Sequence, residues 1–317
     1  ENRQGGGIPT LNANDDARAE RKATLLLDAY YTIGRLHLFC EDYALHGWEP
    51  VPHLILADGC SAAPDSDLGA RLLALNARHF LPRFARAANE RERLARHWPL
   101  GRCIVRRAAR QARDLGLDSG VLDATLLIAW CDGATAHVHL YGDGCLAVRR
   151  ADGEVATIRV EYAENAPYYL SYLLDPERWA LYQEAIGEPA TAQSIHYRSD
   201  AGESVRQERF NAPTVFSFDL AAFPVVAAAT DGLDSFVAAE TGARLDLRAV
   251  AGAMLDFQNL DGAFVQRRLR QTLFEYAQRR VFNVDDIGLG AFVCLIHGSE
   301  ADTPLADGGI PAWEALP

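Results

Sequence analysis

The chain has only six cysteines (Cys40, Cys60, Cys103, Cys131, Cys145 and Cys294), and no two form a CxxC pair. Most of them lie in apolar surroundings, which excludes a zinc ribbon and points to a reduced cytoplasmic protein over a disulfide framework. No apolar stretch reaches the roughly 20 residues needed to cross a bilayer. The first twenty residues, ENRQGGGIPTLNANDDARAE, contain no signal-peptide core. Positive charge is also scarce: 31 Lys and Arg stand against 43 Asp and Glu, a formal net charge of -12. That balance argues against nucleic acid or anionic membrane as the main partner. The basic run Arg102, Arg106, Arg107, Arg110 and Arg113 has the spacing of a solvated helix face. Neither GxGxxG after a strand nor GxxxxGK followed by Ser or Thr occurs, so the two common phosphate-cradling loops are missing. No histidine pair shows the HxxxH spacing of a metal site. What remains is an ordinary globular chain whose 317 residues suffice for one large domain.

What the chain does carry is acid at strand ends. CED (40–42), ADG (57–59), TDG (230–232) and VDDIG (284–288) each border a β-like run. LILA leads into Asp58-Gly59, and PVVAAAT leads into Asp231-Gly232. A buried strand ending in Asp-Gly places a carboxylate at the sheet edge and lets the backbone turn away at the glycine. Carboxylates delivered by several strands suit hard cations, which favour oxygen ligands. Around these motifs the pattern predicts strands at 24–34, 53–59 and 287–296, and helices after Asp65, over 101–114, near 246–257 and over 263–279. Residues 123–160 read as a four-strand meander, with turns at Asp132-Gly133, Asp143-Gly144 and Asp152-Gly153. Asp132, Asp143, Asp152 and Asp234 read as turn formers, and Asp123 as a strand cap. Strands and helices fall in blocks, which favours an antiparallel α+β layer structure over a doubly wound sheet.

In this order the motifs resemble the metal-dependent protein phosphatases of type 2C, particularly divergent bacterial members. The segments that carry the resemblance are GRLHLFCEDYAL (34–45), LILADGCSAAPDSDLGARLLALN, DATLLIAWCDGATAHVHLYGDG, VVAAATDGL and NVDDIGLGAFV, spanning about 25–297. The resemblance implies a four-layer α-β-β-α sandwich with two packed antiparallel sheets. Residues 1–22 would be a flexible leader, 23–297 the catalytic domain with a flap at about 163–215, and 298–317 an irregular tail. It also implies manganese- or magnesium-dependent hydrolysis of phosphoserine or phosphothreonine in proteins by water held between two cations, opposite a serine/threonine kinase. By position, Asp42 would ligate one metal, Asp58 would bridge two, and the Gly59 carbonyl, Asp231 and Asp285 would complete the sites. Glu41 would hold a water, and Asp118 a third ion. His37, or Arg35 on the same face of an extended segment, would replace the family's phosphate-gripping arginine. Cys60-Ser61-Ala62 departs from the family's glycine-rich loop. A pseudophosphatase binding module and a small-molecule phosphoester hydrolase are the alternatives. Cys60 reads as a small packing residue, and Tyr168, Tyr169 and Tyr172 as a flap packed on the body.

Overall fold

A computed structural model describes residues 22–297. In chain order the elements are β1 (Lys22–Thr32), β2 (Asp42–Gly47), β3 (His53–Gly59), α1 (Ser66–Ala85), α2 (Glu90–Asp114), β4 (Ala124–Cys131), β5 (Thr135–Tyr141), β6 (Gly144–Arg149) and β7 (Val155–Tyr162). They continue with α3 (Pro176–Ala185), β8 (Gln193–Ser199), β9 (Gly202–Glu208), β10 (Thr214–Asp219), β11 (Val225–Ala229), β12 (Phe236–Ala238), α4 (Leu247–Met254), α5 (Phe264–Gln278), β13 (Val281–Asn283) and β14 (Ile287–His297). One sheet runs β1-β14-β11-β6-β7-β8-β9, the other β10-β5-β4-β3-β2, and β12 pairs with β13 apart from both.

Alternation along the strands makes the layers. Ile55 and Ala57 of β3, with Leu126, Ile128 and Trp130 of β4, turn outward onto Leu73 and Ala77 of α1 and Ile104 and Ala108 of α2. On the other sheet Ala227, Ala229, Leu289 and Ala291 turn outward onto Val250 of α4 and Val265 and Leu269 of α5. The residues between, such as Leu54, Leu56, Leu127, Val226 and Phe292, are buried. The inner faces meet closely, since a Cβ on Gly290 of β14 would lie 3.3 Å from Leu54 Cβ of β3. The architecture is the expected α+β sandwich, with a sheet pair inside and helices on both outer faces.

Three local features differ from the sequence expectation. The helix expected at 101 starts at Glu90. Asn89 caps it by accepting the Glu92 N–H at 2.9 Å, and the Glu92 carboxylate returns to the Ala88 N–H at 3.1 Å. Pro99 inside the helix hides that continuity in the sequence. Strand β2 is a half-buried strand at the end of its sheet, without the long apolar run that marks β3. The segment 163–215 contains α3 and two 3-10 turns, Ala163–Asn165 and Leu170–Leu174, but its strand pair β8–β9 extends the seven-stranded sheet beyond β7.

Leu25–Leu295 forms one compact unit, and the expected leader and tail lie outside the described residues apart from Lys22. Among the described residues no helix is long and apolar enough to cross a membrane. Packing between the sheets should dominate stability. Leu56→Ala, at a site with 0% exposure, is expected to cost about 2–5 kcal/mol in urea denaturation. Leu75→Ala, on α1 at 42% exposure, is expected to cost under about 1 kcal/mol.

Candidate metal and phosphoester site

Antiparallel register sets Asp42, Asp58 and Thr125 in one row across β2, β3 and β4. The second sheet delivers its acids nearby: Thr230 and Asp231 follow β11, and Asp285 and Asp286 precede β14. The Thr230 hydroxyl joins the sheets, donating to Asp42 Oδ2 at 2.8 Å and accepting the Gly288 N–H at 2.8 Å. Asp58 faces Asp42 across the β2–β3 register, and the charges of Asp42, Asp231, Asp143 and Asp285 all act on it.

These groups raise one another's pKa. Burial pushes Asp58 well above the usual carboxylate range, and the charges of Asp42, Asp231 and Asp143 add to it. Burial also raises Asp42, against the pull of the Thr230 hydrogen bond and with the help of Asp286 and Asp231. Asp231 is raised by burial, partly opposed by Asp58 and by Arg244 and Arg159. Both arginines are bound to Asp234, at 3.4 and 2.7 Å. Burial and the Asp231 charge lift Asp285 to about 6.

Asp286 has a different task. Its two oxygens accept the Gly34 and Glu41 N–H groups, each at 2.6 Å, and the residue is buried. The approach is close: a Cβ on Gly34 would lie 2.2 Å from the Asp285 carbonyl carbon, and one on Gly232 would lie 1.6 Å from the Asp286 oxygen. Only glycine fits at these two points. Glu41 is fixed at its other end by the Ser66 hydroxyl, which donates to Oε1 at 2.5 Å. His37 turns into this cluster, with Nδ1 3.1 Å from Asp286 Oδ2, Nε2 3.3 Å from Asp285 Oδ1, and Nδ1 3.9 Å from Glu41 Oε2. Burial works against its charge, but Asp286, Asp285 and Glu41 together raise its pKa. His37, Glu41 and Asp286 have ligand atoms within 4.8 Å of one another, but Asp286 is spent on backbone N–H groups, so this trio reads as an anchor.

The donor set fits hard divalent cations. Asp42 Oδ1 and Thr125 Oγ1 are buried without a hydrogen-bond partner, and a buried unpaired carboxylate oxygen is costly unless a cation neutralises it. Asp42, Asp58, Asp231 and Asp285 come together as the sequence implied, with Gly59 at the end of β3. Asp118 does not join them. It is exposed and caps the 3-10 turn Ser119–Leu122, accepting the Gly120 N–H at 2.8 Å. Asp143, expected only to form a turn, is the acid that arrives instead. It is buried, and burial with the Asp231 charge raises its pKa well above the usual range. Its place in LYGDG, directly after a buried run, was the available signal.

Arg35 also departs from expectation, because the segment is not extended. His37 N–H bonds Gly34 O at 3.3 Å in a turn, and the Arg35 guanidinium stacks on Phe282 at 4.1 Å. Asp123 does more than cap a strand. Its carbonyl accepts the Cys60 N–H at 2.8 Å, while its carboxylate accepts Ser171 Oγ at 2.5 Å and Arg178 at 2.7 Å. This clamps 170–178 over the end of β3, and the Tyr169 hydroxyl faces the Cys60 thiol, with Asp143 and Asp58 close enough for their charges to act on it.

The raised acids have a testable signature. A carboxyl with a raised folded-state pKa holds its proton better in the folded than in the unfolded chain. Its contribution to stability is present below the unfolded pKa of about 4 and is lost as pH climbs to the folded value. For Asp285 that window closes at about 6. In chelator-treated protein, Asp285→Asn is therefore expected to gain melting temperature relative to wild type between pH 4.5 and 6.5 and then level off. With manganese added, the order should reverse. A pH-independent difference in calorimetric melting would contradict the clustered-charge account.

The protein phosphatase 2C family model matches residues 35–171. No curated protein matches the chain in sequence. Among solved structures, the chain is similar to the serine/threonine phosphatase Stp1 from Staphylococcus aureus, at 12% identity and TM-score 0.52, over 89% of this chain and 100% of that one. The catalytic domain of the serine/threonine protein phosphatase PstP in complex with two manganese ions aligns at 18% identity and TM-score 0.51, over 86% and 100%. PppA, described as a regulatory component of the type VI secretion system in Pseudomonas aeruginosa, aligns at 14% identity and TM-score 0.50, over 86% and 100%. At these identities the structures establish the shared fold. That fold, the motif order and the match over residues 35–171 together establish the resemblance of this chain to the protein phosphatase 2C family.

Proposed function

We propose that this chain is a metal-dependent protein phosphatase that hydrolyses phosphoserine and phosphothreonine in proteins, using manganese or magnesium. The observation that carries the reading is the convergence of Asp42, Asp58, Asp231 and Asp285, from both sheets, at one end of the sandwich. When bound, a pair of cations held by these four acids and the Gly59 carbonyl would neutralise phosphoryl oxygens and acidify the attacking water. The two manganese ions of the PstP structure support that choice of metal. The free cysteines fit action in a reducing cytoplasm, opposite a serine/threonine kinase.

The chain's own residues do the positioning. Asp58, paired with Asp42 in register and under the charge of Asp231, is the acid assigned to the shared ligand position. Ser66 holds Glu41 so that its second oxygen is left facing the cluster beside His37. His37, whose pKa Asp286, Asp285 and Glu41 raise, stands beside Asp285 as the group assigned to contact a phosphoryl oxygen in place of an arginine. Asp143 is the further acid available to a third ion, in place of Asp118. The clamped segment with Tyr169 walls the side beside Cys60.

The test is manganese-dependent hydrolysis of para-nitrophenyl phosphate and of phosphoserine peptides, alongside calorimetric manganese binding. Asp58→Asn is expected to lower kcat more than about 100-fold, the upper range for loss of a group that merely supports a ligand, and to reduce the manganese stoichiometry. Cys60→Ser should keep turnover, since attack by water needs no thiol. Wild-type stoichiometry and activity in Asp58→Asn would end this reading. Manganese binding without turnover in the wild type would instead favour a binding module.

A further inference from the structure

The net charge of -12 conceals a basic layer. Helices α1 and α2, on the outer face of the five-stranded sheet, carry eleven arginines against four acids. Among the described residues only Arg96 of those eleven has a carboxylate partner, Glu92 at 3.0 Å. Arg102, Arg106, Arg110 and Arg113 face solvent as the sequence implied, but Arg107 is half-buried and lines a pocket of about 700 Å³. The pocket lies where α1 and α2 meet the β2–β3 turn, and Trp48, His53, Leu75, Arg78 and Gln111 also line it. Its single acid, Glu49, is exposed and joins no ion pair among the described residues. In the β2–β3 ladder Gly47 pairs with His53 at this end and Asp42 with Asp58 at the other, so about 17 Å of strand separates the pocket from the acidic cluster.

Two buried atoms of the lining residues lack partners. His53 is 1% exposed, and its Nδ1 lies 2.8 Å from the Val51 carbonyl, which can only accept. Nδ1 therefore carries the proton, and Nε2 is left as a lone-pair acceptor that nothing satisfies. Burial lowers the pKa of this imidazole, and Arg78 and His46 add to the effect, so the ring is neutral. Arg107 Nε is likewise buried without an acceptor. Each is a cost to the fold that a bound partner would remove. Gln111 accepts the Asn76 amide on its oxygen at 2.5 Å, which leaves its own N–H groups as donors. Trp48 and Leu75, 52% and 42% exposed, add apolar surface to the same pocket.

We propose that this pocket binds a nucleotide, with its phosphates on Arg78 and Arg107 and its base against Trp48. The unpaired groups narrow the occupant. Guanidinium groups without carboxylates call for an anion, and phosphate matches their planar fork. Free phosphate carries no ring for Trp48 and no N–H for the His53 acceptor, whereas a purine base supplies both a flat face and an exocyclic N–H. The volume falls within the range of small-ligand sites. The arginine layer around the pocket draws an anion toward it, while the acidic remainder of the chain turns the anion away. This binding is independent of the phosphatase reading, since the pocket shares no residue with the acidic cluster.

The test titrates adenosine diphosphate, adenosine and inorganic phosphate into the full chain by calorimetry. Chelator is present throughout, so that no cation holds the nucleotide at the acids and none is hydrolysed. The wild type is expected to bind adenosine diphosphate saturably, one per chain, and more tightly than adenosine or phosphate. Arg78→Ala combined with Arg107→Ala should weaken that binding at least about 10-fold, through lost charge-assisted hydrogen bonds. Arg78→Ala alone, at an exposed site, is the second variant should the pair fold poorly. Arg102→Ala combined with Arg110→Ala removes the same charge from α2 outside the pocket and should change the affinity less than about twofold. Trp48→Ala should weaken adenosine diphosphate about 3- to 10-fold and leave phosphate binding unchanged. No binding by the wild type at millimolar nucleotide overturns the proposal. Equal losses in the two arginine pairs overturn it too, since the attraction would then be diffuse charge. An unaltered nucleotide affinity in Trp48→Ala removes the base from the site. A glutamate-rich peptide that displaces adenosine diphosphate and binds more tightly would give the pocket to a protein partner instead.

Discussion

Like charges held close together set the terms for this structure. Asp42, Asp58, Asp231, Asp285 and Asp143 are delivered by five separate segments to one end of the sandwich, where burial raises the pKa of each and repulsion from neighbouring acids adds to it. Nothing about such a cluster is self-stabilising. It persists because neutral groups hold its edges: Thr230 between Asp42 and Gly288, Ser66 on Glu41, and two backbone N–H groups on Asp286. The sheets beneath gain their stability from apolar packing against the helices, which offsets the cost of the charged end.

Much of this was legible in the sequence because it is local. LILADG and PVVAAATDG announce both a buried strand and the carboxylate at its end, since apolar runs and Asp-Gly turns act over a few residues. The order of such segments then carried the fold class and the family resemblance. Asp42, Asp58, Asp231 and Asp285 were found this way, and the structure brings them together.

What the sequence hid depends on long-range placement. Asp143 and Asp152 both stand before a glycine between strands, yet only Asp143, where the chain crosses from β5 in one sheet to β6 in the other, joins the cluster, while Asp152 stays exposed in the β6–β7 hairpin. Asp118 precedes the Thr125 strand at a suggestive spacing, but a 3-10 turn intervenes and takes its carboxylate for a cap. Arg35 and His37 would share a face on a strand, but the hydrogen bonds to Asn283 and Val284 bend the segment, and those partners lie some 250 positions away. Similarly, Asp123 looks like a strand cap until Ser171 arrives from the 3-10 turn Leu170–Leu174 and Arg178 from α3.

The pinned loop has a consequence for how relatives of this chain can diverge. Within residues 33–41 the backbone is fixed by contacts to Asn283, Val284 and Asp286, while Leu36, Leu38 and Phe39 touch little of the body. Replacing those side chains leaves Glu41 and His37 where they are. Sequence at these three positions is therefore free to drift without disturbing either residue. Each step is nearly neutral for folding and leaves the chemistry alone, whereas the same drift at Gly34 or Gly232 would end the lineage at once.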